Sequence, residues 1–130
     1  MLREEAEIKP DFKAAGFEKR SHPRFVTALP IEYGRIDSPE NRSGHTSNIS
    51  ESGAMISLPE QIEVGTNLRV KIFFSLGREL NTIEATGTVV WTNIDLERKG
   101  YYRTGLKYED ISPENVQRLR SLLNRFGDRW

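Results

Sequence analysis

Two short stretches of the chain carry residue types that can recognise an anion or a base. The first, EKRSHPRF from Glu18 to Phe25, sets Arg20 and Arg24 four residues apart with Lys19 and His22 beside them. On a helix that spacing would line one face. Pro23 lacks an amide proton and pushes His22 toward extended geometry, so the stretch reads as an extended or turning loop presenting two guanidiniums. A guanidinium is a planar fork of donors that can hold phosphate oxygens, or O6 and N7 of guanine, bidentately, and it stacks on flat bases. Such a pair suits a purine nucleotide phosphate. The spacing alone is weak, because the chain has thirteen arginines and Arg125 and Arg129 repeat it at the C-terminus.

The second stretch, SNISESGAMI, holds Asn48, Ser50 and Gly53 in the order N-x-S-x-x-G immediately before an apolar alternation. This is the rarer pattern. The Asn48 amide oxygen can accept from N1 and N2 of guanine, and Ser50 can bond a base or a phosphate. Gly53 can take positive φ or let a ligand approach the backbone closely. An ordinary turn uses the same residues differently, with Asn48 and Ser50 bonding their own backbone and Gly53 making the bend. Both readings stand at this point.

The rest of the chain narrows the chemistry. Nineteen basic and nineteen acidic residues cancel, so no global field draws the protein to nucleic acid or an anionic membrane, and a bound anion must meet a local cluster. There is no cysteine, which removes disulfides, thiolate nucleophiles and zinc-thiolate sites. His22 and His45 are the only histidines, and no metal site is expected. No nucleophile–base pair and no P-loop glycine run is present, so an enzyme is not expected. The first twenty residues contain no apolar run of signal-peptide length and no segment is long enough to span a membrane, which points to the cytoplasm.

Strands must position these residues. FVTALPIEYGRI alternates through Phe25, Leu29, Ile31 and Tyr33, with Pro30 marking an edge, a bulge or a bend. DSPENRSG reads as a turn-rich connection. AMISL, NLRVKIFFSL, NTIEATGTVVWTNI and YYRTGLKYE then alternate in turn, and the third of these places Trp91 on the inward face with Ile83 and Val89. Five or six strands with turn signals between them suggest a closed or nearly closed antiparallel barrel at about 25–110. SPENVQRLRSLLNRF switches to helical period over about 112–126, with Ser112 as N-cap, Pro113 at the first position, and Val116, Leu119, Leu122, Leu123 and Phe126 on one face. Its arginines, at 118, 120 and 125, read as solvated. Residues 1–18 read as a mobile arm or a short helix ahead of a domain at 19–130.

RSHPR followed by NISESG resembles the PilZ domain family, whose pattern is R-x-x-x-R in an N-terminal loop and then [D/N]-x-S-x-x-G. TGTVVW and YRTGLKYED are similar to two further strands of that family, so the resemblance covers about residues 19–126. It implies a six-stranded antiparallel β-barrel with a C-terminal α-helix, acting as a receptor for cyclic di-GMP. By that resemblance Arg20 and Arg24 take guanine edges and phosphates, while Asn48, Ser50 and Gly53 hold a guanine against the barrel. Asn48 is the neutral variant of a position that is often aspartate; it keeps an acceptor and forgoes a charge-assisted bond. Lys19 occupies the position that bears on whether one nucleotide or a stacked pair is bound, and His22 adds a donor or a stacking surface. The expected mechanism is an arginine loop that orders on the ligand and passes the signal to a protein partner in motility, pilus or exopolysaccharide control. Two other functions compete: a PilZ-fold interaction adaptor that binds no nucleotide, and an OB-like barrel binding single-stranded nucleic acid. The latter would need aromatic and basic residues interleaved on an exposed face.

Overall fold

The computed structural model describes residues 24–25 and 28–126. Seven strands precede one helix: β1 (Arg24–Phe25), β2 (Pro30–Arg35), β3 (Arg42–Ser50), β4 (Gly53–Leu58), β5 (Asn67–Leu76), β6 (Glu79–Ile94), β7 (Tyr102–Asp110) and α1 (Pro113–Phe126). Every pairing is antiparallel, in the order β1-β3-β2-β5-β6-β7-β4, and β4 pairs back onto β3. Six strands, β2 to β7, therefore close into a barrel, and β1 adds two residues beside β3. Closure leaves no open edge among the six.

Inward positions follow the alternation. Ile31 and Tyr33 from β2, Ile56 and Leu58 from β4, and Leu68, Val70, Ile72 and Phe74 from β5 are buried together with Ile83, Val89 and Leu106. Leu119, Leu122 and Leu123 of α1 join the same core, so the helix covers the barrel as its periodicity predicts. Ser112 caps it: its hydroxyl accepts from the Asn115 amide at 3.2 Å and its carbonyl from Val116 at 2.9 Å. Side chains then tie the helix to the barrel. Asn115 Oδ1 accepts from the Glu84 amide at 3.0 Å, and Arg118 donates to the Thr82 carbonyl at 3.3 Å. Arg118 also pairs with Glu114, and Arg120 with Glu51, so these two arginines fasten the helix where solvated charge was expected.

Two elements differ from the sequence reading. The strand expected to run from Phe25 is interrupted, and β2 begins at Pro30, where a missing amide proton costs the ladder nothing. Across the break Leu29 and Thr46 exchange bonds: the Leu29 amide donates to Thr46 Oγ1 and the Thr46 amide to the Leu29 carbonyl, each at 2.9 Å. The second difference is β3 itself, whose first residues lie in the expected turn-rich connection. RSGHTSNIS buries only Thr46 and Ile49, so it carries too few apolar positions to show a period.

Leu122 is 1% exposed at the junction of helix and barrel. Leu122→Ala is expected to cost about 2–5 kcal/mol through lost burial and the cavity left behind, measured by urea denaturation.

Candidate functional site

Arg24, the last residue of the first motif, meets the second motif at one end of β3. His45 pairs with Ser57 and Thr46 with Ile56, but Asn48 pairs with Met55, so Ser47 is an extra residue on β3. This bulge resets the alternation. Thr46 and Ile49 both point inward and are fully buried, while Asn48 and Ser50 share the outer face. Without Ser47, inward Thr46 and inward Ile49 could not lie on one strand.

After Ser50 the chain turns through Glu51 and Ser52 into β4. The Ser50 hydroxyl donates to the Gly53 carbonyl at 3.1 Å, and the Tyr108 amide donates to the Ser52 carbonyl at 3.0 Å. The turn reading of Ser50 is therefore realised, and the hydroxyl can rotate its proton to a ligand at the expense of that one bond. Gly53 does not take positive φ. A Cβ there would lie 2.2 Å from the Leu106 carbonyl oxygen, so glycine is required by the close approach of β7. That approach, to backbone within the barrel, is the one the structure displays.

β1 runs beside this segment with Arg24 in register with Ser50 and Phe25 with Ile49. The second arginine of RSHPR is thereby placed directly across from the serine of NISESG, in the extended backbone of β1. Lys19, Arg20 and His22 lie outside the described residues. The structure brings together Arg24, Asn48, Ser50 and Gly53 of the expected set.

Trp91 corrects an expectation and adds to the site. Val89 pairs with Leu106 but Trp91 with Gly105, making Val90 a second extra residue, this time on β6. The reset turns Trp91 out of the core, where it is 38% exposed. Its indole lies on Gly105, where a Cβ would come 2.1 Å from Nε1. Because Gly105 pairs with Met55 and Met55 with Asn48, these four residues form one lateral row across the outer face. Alternation counted along the sequence missed this, because a bulge leaves no mark on residue type; the glycine opposite a tryptophan is the one available sign.

The β6–β7 connection forms a wall beside that row. Asp95, 7% exposed, accepts from the Ser57 hydroxyl at 2.9 Å and the Glu97 amide at 3.0 Å, and pairs with Arg103 at 3.5 Å. Burial opposes its charge, but the Glu97 amide, the Ser57 hydroxyl, Arg103 and Arg98 outweigh that and hold its pKa below the usual carboxylate value. Arg98 lies over the Tyr101 ring at 5.1 Å and meets His45 Nδ1 at 3.4 Å. Since a guanidinium only donates, that contact places the His45 proton on Nε2. Burial, then Arg98, lower the His45 pKa against the pull of Asp95. Among the described residues no group of His, Asp or Glu is arranged to hold a metal ion. A groove of about 440 Å³ lies elsewhere, between Glu32, Lys71, Glu84, Asp110 and Asn115, and none of the expected site residues lines it.

The sequence matches the PilZ domain family over residues 18–125. The chain belongs to that family. Solved structures agree in fold. The motility inhibitor MotI/DgrA of Bacillus subtilis superposes with a TM-score of 0.69 at 21% identity, over 84% of this chain and 51% of that one. The PilZ domain of YcgR from Escherichia coli, solved with c-di-GMP, gives 0.62 at 10% identity over 84% and 92%. The MrkH–c-di-GMP complex of K. pneumonia gives 0.65 at 17% identity over 83% and 52%. The chain thus spans about half the length of the B. subtilis and K. pneumonia proteins. No curated protein matches the sequence. No described helix is long and apolar enough to cross a membrane.

Two substitutions test the packing of this face. Gly53→Ala forces β7 backbone away and is expected to destabilise more than Gly105→Ala, which displaces a side chain; overpacking of this kind costs about 1–3 kcal/mol. Gly105→Ala should also shift tryptophan emission toward the red as the indole lifts. Asp95 supplies the pH test. Its folded-state pKa is lowered, so its contribution is present above the ordinary carboxylate value and is lost as pH falls through the lowered one. Asp95→Asn is expected to cost about 1–3 kcal/mol at pH 7 and to flatten the acid limb of stability against pH in denaturant titrations.

Proposed function

We propose that this chain is a cyclic di-GMP receptor that acts through a protein partner and catalyses no reaction. The observation that carries the reading is the β1–β3 register, which sets Arg24 across from Ser50, with Asn48 two residues away on the same strand. The end of the first motif and the second motif, separated in sequence, are thereby adjacent, and their chemistry is complementary. Guanidiniums address phosphate oxygens and the O6/N7 edge of guanine, and an amide oxygen addresses its N1 and N2 hydrogens. Membership of the PilZ family and the c-di-GMP held by the YcgR and MrkH structures support the same ligand.

In this reading Arg20 and Arg24 grip the ligand from the N-terminal side, Asn48 and Ser50 hold a guanine, and Gly53 keeps the hairpin end close to β7. His22 adds a donor beside the arginines, and Lys19 serves a second, stacked nucleotide. Trp91 and Met55 supply an apolar floor next to Asn48. Closure of the Lys19–Arg24 loop on the ligand alters how residues 1–18 approach the barrel, and that change is what the partner reads. A partner in motility, pilus or exopolysaccharide control fits this role.

Calorimetric titration of cyclic di-GMP tests the proposal. The wild type should bind saturably, with Arg20→Ala, Arg24→Ala and Asn48→Ala each weakening affinity at least about tenfold, as expected for lost charge-assisted or specific hydrogen bonds. Two ligands per chain, falling to one in Lys19→Ala, would assign Lys19 to the stacked pair. A wild type with no heat and no amide-shift perturbation would sink the receptor reading and leave an adaptor that binds protein alone.

A further inference from the structure

We infer that Lys107 takes a phosphate oxygen of the bound dinucleotide, extending the site from β3 across β4 onto β7; this rests on the receptor reading above. Lys107 follows Leu106, which is 3% exposed and points inward, so Lys107 stands on the outer face. It pairs directly with Gly53 on one side and with Thr88 on the other. Gly53 has no side chain to stand between Lys107 and Ser50, and the tight approach there brings the Lys107 Cα within 3.4 Å of where a Gly53 Cβ would be. Ser50 lies two strand spacings from Lys107, roughly 10 Å. A lysine stem and a phosphate together fill that gap.

Lys107 also stands apart by charge. Among the described side chains most cations are engaged: Arg103 with Asp95 and Glu97, Arg120 with Glu51, Arg42 with Glu60, Arg69 with the carbonyls of Arg35 and Ser38. Arg78, Lys99, Lys107 and Arg125 make no hydrogen bond, ion pair or ring contact within that set. Arg78 sits at the β5–β6 hairpin, Lys99 in the β6–β7 loop and Arg125 in the last turn of α1, all places where water satisfies a charge. Lys107 alone of the four stands mid-strand on the face that carries Asn48 and Ser50. In a chain with zero net charge, an uncompensated ammonium there sets the local potential for a dianionic ligand. Lysine acts on phosphate as a mobile point charge, which suits a residue that must reach over a neighbouring strand.

The test is titration of cyclic di-GMP into wild type, Lys107→Ala, Lys107→Glu, Lys107→Arg and Arg78→Ala, each at two salt concentrations and each checked for unchanged thermal unfolding. Lys107→Ala should weaken binding about tenfold, as for loss of one charge-assisted contact. Lys107→Glu should weaken it further, and Lys107→Arg should restore most of it. Arg78→Ala removes the same charge at the β5–β6 hairpin and should leave affinity unchanged. Affinity in Lys107→Ala equal to wild type, or an equal loss in Arg78→Ala, would overturn the assignment while leaving the receptor reading intact. A wild type that takes up no dinucleotide would remove both.

Discussion

Side chains on a strand alternate between two faces, and in a closed barrel one of those faces is always the core. Any residue that must face outward where the count says inward needs an extra residue ahead of it. Ser47 on β3 and Val90 on β6 are those residues. Ser47 lets Thr46 and Ile49 both enter the core while Asn48 and Ser50 stay outside. Val90 turns Trp91 onto Gly105. The two resets lie on strands separated by β4 and β7, and the row between them runs through Met55 and Gly105. The outer face is thus assembled at two local breaks in the sheet; a third, at Glu109 of β7, lies between the pairs Thr86–Asp110 and Gly87–Tyr108.

The electrostatics of that face follow from its neighbours. The Asp95 carboxylate is buried under the β6–β7 connection and absorbs the charge of Arg103, so the wall is close to neutral where it meets the sheet. Glu51, at the hairpin tip, is drawn toward Arg120 of α1. Asp95 and Glu51 are therefore already committed to arginines of the fold. Lys107 of β7, which makes no ion pair among the described residues, is left beside the hairpin.

Much of this could be read from the residues, and the failures have physical causes. Strands β4 and β5 show period two because each buries three or more apolar side chains; β6 buries Ile83 and Val89 and β7 Leu106, and α1 shows its cap and its leucine face without ambiguity. β3 is a strand for a different reason: its backbone is paired on both sides, by β2 and β1 on one and β4 on the other, so it needs little apolar content of its own. Propensity and pattern see only a strand's own side chains, and RSGHTSNIS looks like a loop to both. Trp91 was misplaced because residue type does not encode a bulge. Within the site, N-x-S-x-x-G was legible as a motif, but the reason for its glycine was legible only once Leu106 was seen beside it. The juxtaposition of Arg24 and Ser50, which joins the two motifs, is a matter of register between distant segments.

Among the described residues β1 shares two pairs with β3, where β5 and β6 share ten. Opening so short a pairing is a local event that leaves the barrel intact, so its equilibrium is separable from global unfolding. In the proposed reading, a ligand that spans β1 and β3 and a protein that grasps the chain ahead of β1 would act on one equilibrium from its two ends. Linkage makes their effects reciprocal: whatever free energy the ligand adds to the docked strand, the partner must supply to pull it away, and a partner that prefers it docked tightens the ligand by the same factor.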